Sequence, residues 1–359
     1  MIPIYKPFLN GNEKKYVNEC LDSTWISSKG GFITKFEDGI KNYVGSKYAS
    51  SCSNGTTALD LAFKAIEVQE GDEIITSSFT YVASTNAILI NRAIPVFVDI
   101  EKDSWNLDVN LIEQKITSKT KAILISNIYG YLPNIEDIKL LCDKFNIFLI
   151  EDAAESLGAS FNGFKSGTFG HISTFSFFGN KTITTGEGGM VLTNEKKFYD
   201  KVEVLKNQGN SKTRTYFHDV LGFNYRMTNI QAAIGLAQLE QLDLILNKKI
   251  KIYNFYFDKL SQYLTFQKPT NKKVTPSHWI VTVLFRDLKQ KERVKEGLVN
   301  NKIEFRPLFY PVDELSFYKK NEFLDITKKL YNRGICLPSF PDLSEQELNK
   351  ICNIIIENL

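Results

Sequence analysis

Histidine occurs only three times in this chain of 359 residues, at His171, His218 and His278. No two of them are near enough in sequence to form a metal-binding pair. The five cysteines (Cys20, Cys52, Cys142, Cys336, Cys352) are scattered, odd in number and never spaced as Cys-x-x-Cys. That excludes both a disulfide framework and a zinc centre, and no metal is expected. No Gly-x-Gly-x-x-Gly follows a strand and no Gly-Lys dipeptide occurs, so a dinucleotide fingerprint and a P-loop are absent. No run approaches the ~18 apolar residues of a membrane helix. The start, Met1-Ile2-Pro3-Ile4-Tyr5-Lys6-Pro7, lacks a basic flank followed by an apolar core, so no signal peptide is expected and a cytoplasmic location fits. Charge of one sign is not in excess either. A net charge of +3 falls short of a nucleic-acid-binding surface. The pairs Lys248-Lys249 and Lys319-Lys320 read as solvated helix faces.

What the chain does have is length and an ordinary hydrophobic share, 43% of residues, enough for a large core and a smaller one. From about residue 50 to 195, short apolar strands alternate with amphipathic helices. Helices are predicted at 56–66, 81–91, 109–116 and 135–145, and strands at 72–76, 95–99, 122–126, 147–152, 173–176 and 190–193. This alternation predicts an α/β fold with a mostly parallel central sheet flanked by helices. Ligands in such folds bind beyond the C-terminal ends of the strands. Thr228-Asn229-Ile230-Gln231 has the form of a capping box and opens a long helix that continues towards residue 250 and bridges two domains. Beyond it, strands at 277–285 and 303–310 and helices at 289–300 and 344–357 predict a smaller C-terminal α+β domain. The expected division is a large domain over residues 1–245 and a small one over 246–359.

Four local features bear on chemistry, each with an ordinary alternative. Ser53-Asn54-Gly55-Thr56-Thr57 is either a plain helix cap or a helix N-terminus that holds a phosphate. Asp152, ending the apolar strand Phe148-Leu149-Ile150-Glu151, either caps a helix or is an anion that keeps a heterocyclic nitrogen protonated. Lys181 follows the aromatic stretch Thr174–Asn180 and precedes Gly186-Glu187-Gly188-Gly189. It is either incidental to a hairpin or a desolvated amine suited to Schiff-base work, with Ser176 adding a hydroxyl to a phosphate site. Gly222-Phe223-Asn224-Tyr225-Arg226-Met227 is a loop and helix cap, or a polar cluster with a function. A phosphate cradle, a strand-end Asp and a lysine further on are together what pyridoxal phosphate requires, because the protein must fix its phosphate, ring nitrogen and aldehyde.

At these residues the sequence also resembles the DegT-type nucleotide-sugar aminotransferases, of the aspartate-aminotransferase fold class. The resemblance runs from about Ile4 to Asn358 and includes Trp25-Ile26-Ser27-Ser28-Lys29-Gly30, Gly71-Asp72-Glu73-Ile74-Ile75, Pro95-Val96-Phe97-Val98-Asp99, Glu151-Asp152-Ala153-Ala154 and Gly186-Glu187-Gly188-Gly189. It implies pyridoxal 5′-phosphate as cofactor, with pyridoxamine 5′-phosphate as its aminated form. Lys181 is then the Schiff-base lysine and Asp152 the partner of the pyridine nitrogen. Gly55, Thr56 and Ser176 hold the phosphate and Phe79 covers one face of the ring. Glu155 sits by the polar edge of the ring, where relatives often have Gln. Asn224 reaches the phosphate bound by a neighbouring subunit, which implies a homodimer with shared active sites.

The implied reaction moves an amino group from L-glutamate to a nucleotide-linked keto sugar. Within the family, the resemblance at Phe175–Thr185, Tyr225–Ile230, Arg306-Pro307, Phe309–Val312 and Leu337–Pro341 implies a 4-aminotransferase acting on GDP-4-keto-6-deoxymannose, in surface polysaccharide (O-antigen) synthesis. Arg306, with its planar pair of donors, and Tyr310 are the expected substrate-binding residues. The sequence departs from the family pattern at Asn54, Ser78, Asn127 and Asn134, which leaves the substrate less constrained than the cofactor. A dTDP- or UDP-linked 3- or 4-keto sugar is the alternative. A related dehydratase would carry His in place of Lys181, and a non-catalytic regulatory protein would be expected to lose Lys181 or Asp152.

Overall fold

The computed structural model describes residues 1–318 and 324–359. Its centre is a seven-stranded sheet in the order β1-β9-β8-β5-β4-β2-β3. The strands are β1 (Tyr48–Cys52), β2 (Glu73–Ser77), β3 (Ile94–Val98), β4 (Thr120–Ser126), β5 (Phe148–Asp152), β8 (Ile172–Ser176) and β9 (Gly189–Thr193). Only β9 runs against the others. Parallel strands need crossovers, and helices supply them: α3 (Gly55–Ala65), α4 (Val82–Ile90) and α5 (Ile135–Phe145), with α6 (Lys196–Lys206) following β9. The N-terminal helices α1 (Glu13–Asp22) and α2 (Gly31–Val44) pack with α7 (Asn229–Glu240) against the same body. On α2 the buried residues Phe32, Phe36, Ile40 and Val44 recur every fourth position and face Phe175, Phe177 and Ile183.

The predicted capping box at Thr228 and Gln231 is present and opens α7. The expected long helix is broken at Gln241, whose φ of −101° and ψ of 2° end α7 before α8 (Leu242–Leu260) begins. Residues 245 and 246, the expected domain boundary, fall inside α8. The predicted helix at 109–116 is instead two 3₁₀ turns, Val109–Leu111 and Glu113–Lys115: the N–H groups of Leu111, Ile112 and Lys115 bond carbonyls three residues back, and Ile116 is extended.

After α8 the chain builds a four-stranded antiparallel sheet, β10-β12-β14-β13. Its strands are β10 (Thr265–Phe266), β12 (Val281–Leu284), β13 (Arg306–Pro307) and β14 (Gly334–Leu337), shorter than the predicted 277–285 and 303–310. Helices α8, α9 (Leu288–Asn300) and α11 (Glu345–Glu357) share one apolar core with this sheet, while α10 (Asp325–Arg333) leads into β14. A third sheet, β11-β6-β7, joins the two parts through Val274–Thr275, Ser160–Phe161 and Phe164–Lys165.

The pair Lys248-Lys249 departs from the expected solvated face. Lys248 is half-buried and reaches Asp342, but Lys249 is 1% exposed. It lies on the buried stripe Ile245, Lys249, Ile252, Tyr256 of α8, where side-chain periodicity directs it inward. Lys319-Lys320 lies outside the described residues. Among the described residues no helix is long and apolar enough to cross a membrane.

Candidate active site

Five of the parallel strands deliver their C-terminal ends to one edge of the sheet, and a cavity of about 470 Å³ opens there. Its wall includes Gly55 and Thr56 after β1, Thr80 and Tyr81 after β2, and Ser126 and Asn127 at the end of β4. Asp152 and Glu155 come from β5 and its loop, and Ser176, Asn180 and Lys181 from β8 and the turn after it. Trp279, Arg306 and Phe309 close it from the smaller sheet.

Helix α3 presents its first turn to this space. The Asn54 side chain accepts from Thr57 N–H, which leaves the N–H groups of Gly55 and Thr56 without a helical partner. A Cβ at position 55 would lie 2.7 Å from Ser176 Cβ, so a glycine is needed for the turn to approach that hydroxyl. The arrangement is an anion cradle made of two N–H groups, a hydroxyl and a helix dipole.

Strand β5 ends on two carboxylates that face opposite ways. Glu151 is fully buried and accepts from Asn127, Ser166, Ser173 and the N–H groups of Gly167 and Phe169. Asp152 lines the cavity and accepts from Ser84 Oγ at 2.5 Å and Ala154 N–H at 3.1 Å. Ser84 continues a hydroxyl chain to Ser126 and Thr80. Burial pushes the Asp152 carboxyl up, opposed by the Ser84 hydroxyl and by Lys181. A protonated heterocyclic nitrogen is the countercharge that this carboxylate wants.

Lys181 Nζ stands 3.5 Å from Glu155 Oε1 and 4.3 Å from the centroid of the Trp279 ring. Burial pushes Glu155 up to about 7, with the lysine opposing. Its Oε2 accepts from Tyr129 N–H at 2.9 Å. Tyr129 is held in a left-handed conformation, φ 55° and ψ 21°, that costs a non-glycine residue ~1–3 kcal/mol. Three contacts hold it there: Glu155, the Phe309 N–H donated to its hydroxyl at 3.0 Å, and its ring stacked on Phe309 and Trp279.

The structure therefore brings Gly55, Thr56, Asp152, Glu155, Ser176, Lys181 and Arg306 to one cavity. Three expected residues lie elsewhere. Phe79 is fully buried behind the wall, edge-on to Tyr129 and Phe309, and its neighbours Thr80 and Tyr81 line the space instead. Tyr310 is 44% exposed and donates to Glu314, and it is Phe309 that faces the cavity. Asn224 is exposed on the loop before α7 and does not line this chain's cavity. Of the residues not foreseen, Asn180 and Phe309 fall inside stretches singled out for other residues, while Thr80, Tyr81, Ser84, Ser126 and Trp279 carry no local motif. Only the hydroxyls at the ends of β2 and β4 follow from the strand-end rule.

A cradle for a phosphate, a buried carboxylate and a primary amine in one cavity fit pyridoxal 5′-phosphate, and the buried Asn180 Oδ1 still lacks a hydrogen-bond partner. The family model for the DegT/DnrJ/EryC1/StrS aminotransferases matches residues 7–356. The GDP-perosamine synthase of Escherichia coli O157:H7 is 49% identical over 99% of this chain and 98% of its own length. That of Vibrio cholerae is 44% identical, with the same coverage. Helicobacter pylori PseC, an aminotransferase involved in pseudoaminic acid biosynthesis, superposes with a TM-score of 0.93 at 27% identity, covering 99% of this chain and 98% of that one. This chain belongs to the DegT/DnrJ/EryC1/StrS aminotransferase family and is a sugar aminotransferase that depends on pyridoxal 5′-phosphate.

Proposed function

We propose that the chain transfers the amino group of L-glutamate to C4 of GDP-4-keto-6-deoxymannose, forming GDP-perosamine. The observation that carries this reading is the 49% identity, end to end, with the E. coli GDP-perosamine synthase. When bound, the cofactor supplies an electron sink for both half-reactions.

The chain's own residues do the rest. Gly55, Thr56 and Ser176 hold the phosphate. Asp152 keeps the ring nitrogen protonated, supported by Ser84 and Ala154 N–H. Lys181 Nζ would take the proton from the α-carbon of L-glutamate in one half-reaction and deliver a proton at C4 of the sugar in the other. A positioned base of this kind contributes ~10²–10⁴-fold. Arg306 meets the nucleotide diphosphate or the donor carboxylate. Among the described residues no ion pair involves Arg306, which lines the cavity, so its donors are open to a ligand there. Tyr81, Phe309 and Trp279 give the sugar an apolar wall.

A homodimer with shared active sites completes the proposal. In its support, Asn224 is exposed and does not line its own cavity, and Tyr216 and Leu221 on the same loop are 97% and 87% exposed. Turnover of the purified protein on GDP-, dTDP- and UDP-linked keto sugars tests the substrate. The GDP-linked 4-keto sugar is expected to be used best, and an equal rate with a dTDP-linked one overturns the substrate while leaving the aminotransferase in place.

A further inference from the structure

Lys249 is a buried amine. It is 1% exposed on α8, and among the described residues no carboxylate lies within ion-pair distance of it. Its Nζ donates to two backbone carbonyls, Trp279 O at 2.8 Å and Ser339 O at 3.1 Å, and lies 5.3 Å from the centroid of the Tyr5 ring. Burial pushes this amine down to about 7. A lysine in such a place is unfavourable for folding alone, since an apolar side chain of the same length avoids the desolvation.

Both aromatic partners of Lys249 lead to the active-site lysine. Tyr5 Oη donates to the carbonyl of Lys181, and Trp279 Nε1 donates to the carbonyl of Asn180 at 2.7 Å. Two consecutive carbonyls are thus held from two sides, one by the N-terminal segment and one by the smaller domain. The backbone feeding Trp279 is itself constrained: His278 sits at φ 50°, its ring stacked 3.8 Å from that of Tyr253 and bonded to Tyr131 Oη at 3.2 Å. The Lys249 amine donates to the carbonyl of the residue whose indole covers Lys181 Nζ.

We infer that Lys249 is a positioning residue for the transamination, anchoring Tyr5 and Trp279 as a clamp on the Asn180–Lys181 backbone. The clamp sets the point from which the Lys181 amine acts, and this rests on Lys181 being the reacting lysine. A core-filling role would affect stability alone. Misplacing a reacting group by 1 Å costs as much as ~100-fold in rate, so the clamp is worth more to turnover than to folding.

The test replaces Lys249→Met, which keeps the length and removes the donors. Hydrogen exchange of residues 178–185 in the cofactor-free protein is expected to accelerate ~10-fold, with peptides of β5 unchanged. In the loaded enzyme kcat is expected to fall ~10-fold, with KM for the nucleotide sugar within about twofold. Unchanged exchange at 178–185 overturns the inference, as does faster exchange with unchanged kcat, whatever the melting temperature does. If Lys249→Met does not fold, Tyr5→Phe and Trp279→Phe decide, each deleting one donor of the clamp. Faster exchange with lower kcat in both supports it, and anything less in either overturns it. Turnover by Lys181→Ala would remove the reading of Lys181, while the exchange measurement still judges the clamp.

Discussion

Asp152 and Glu155 stand three residues apart, and burial disfavours the charged form of both. Their partners differ, and so do the outcomes expected on substitution. Asp152 has two neutral donors, so its charge serves whatever cation enters the cavity. Asp152→Asn removes one charge-assisted hydrogen bond, ~1.5–3 kcal/mol, which predicts a 10–100-fold loss of turnover with cofactor still bound. Steady-state kinetics beside the cofactor absorbance checks it, and a variant within about twofold of wild type would make Asp152 a mere cap. Glu155 has its carboxyl raised from 4.5 to about 7, chiefly by burial. The folded protein therefore binds this proton more tightly than the unfolded chain. Its contribution to stability is fully present below about 4.5 and is lost as pH rises through about 7, by up to ~3 kcal/mol. Glu155→Gln cannot titrate, so in the cofactor-free protein its stability relative to wild type should rise between pH 5 and 8.5. Denaturant titrations at the two values measure that difference, and a flat difference refutes the assignment.

The segment that follows β13 is an element only in the folded molecule. It carries Phe309 past the cavity and is tied down at Phe309 N–H by the Tyr129 hydroxyl. It is tied again at Val312 N–H by the Ser78 carbonyl, at 3.1 Å. Ser78 Oγ also donates to the Asp313 carboxylate, and both residues are at most 1% exposed. Ser78→Ala leaves that buried carboxylate short of a donor, which predicts a loss of ~1–3 kcal/mol by equilibrium denaturation. It also predicts a higher KM for the nucleotide sugar, because Phe309 hangs from this strap. A loss below ~0.5 kcal/mol would mean that the contact is idle. The strap was not legible in the sequence, where 303–310 read as one strand, because its partners Ser78 and Tyr129 lie just past β2 and β4, more than 170 residues away. Helix α5, by contrast, was legible to the residue: Asn134 caps it, Ile135, Ile138 and Cys142 recur on its buried face, and Asn146 ends it in a left-handed conformation. The helix read at 109–116 is absent although its apolar spacing was right: Leu111 and Ile112 bond the carbonyls three residues back, of Asp108 and Val109, and the chain winds as two 3₁₀ turns instead.

At the scale of the whole molecule, the site was legible where it rests on strand ends and not where it rests on a second element. Asp152, Ser176 and Gly55 follow β5, β8 and β1 to one edge, as the parallel pattern requires. Neither Phe79 nor Tyr310 lines the cavity: of the adjacent aromatics Phe309 and Tyr310 only packing tells which faces in, and near Phe79 it is Thr80 and Tyr81 that line the space. Asn224 raises the remaining question, since one chain offers it nothing at its own cavity. If it grips the phosphate held by a partner, each site takes Lys181 from one subunit and Asn224 from the other. In a closed twofold dimer the exchange is reciprocal. A purified heterodimer of one Lys181→Ala protomer and one Asn224→Ala protomer then contains one site with both lesions and one with neither. Asn224→Ala alone, losing a hydrogen bond to a charged group, should weaken cofactor binding by ~10–100-fold. Measured at limiting cofactor, the hybrid is expected to recover about half of the wild-type activity, far above either parent homodimer. If Asn224 instead serves its own subunit, the hybrid has one site without the lysine and one without the asparagine. Its activity then cannot exceed half that of wild type made with Asn224→Ala in every chain, and sharing of the sites is refuted.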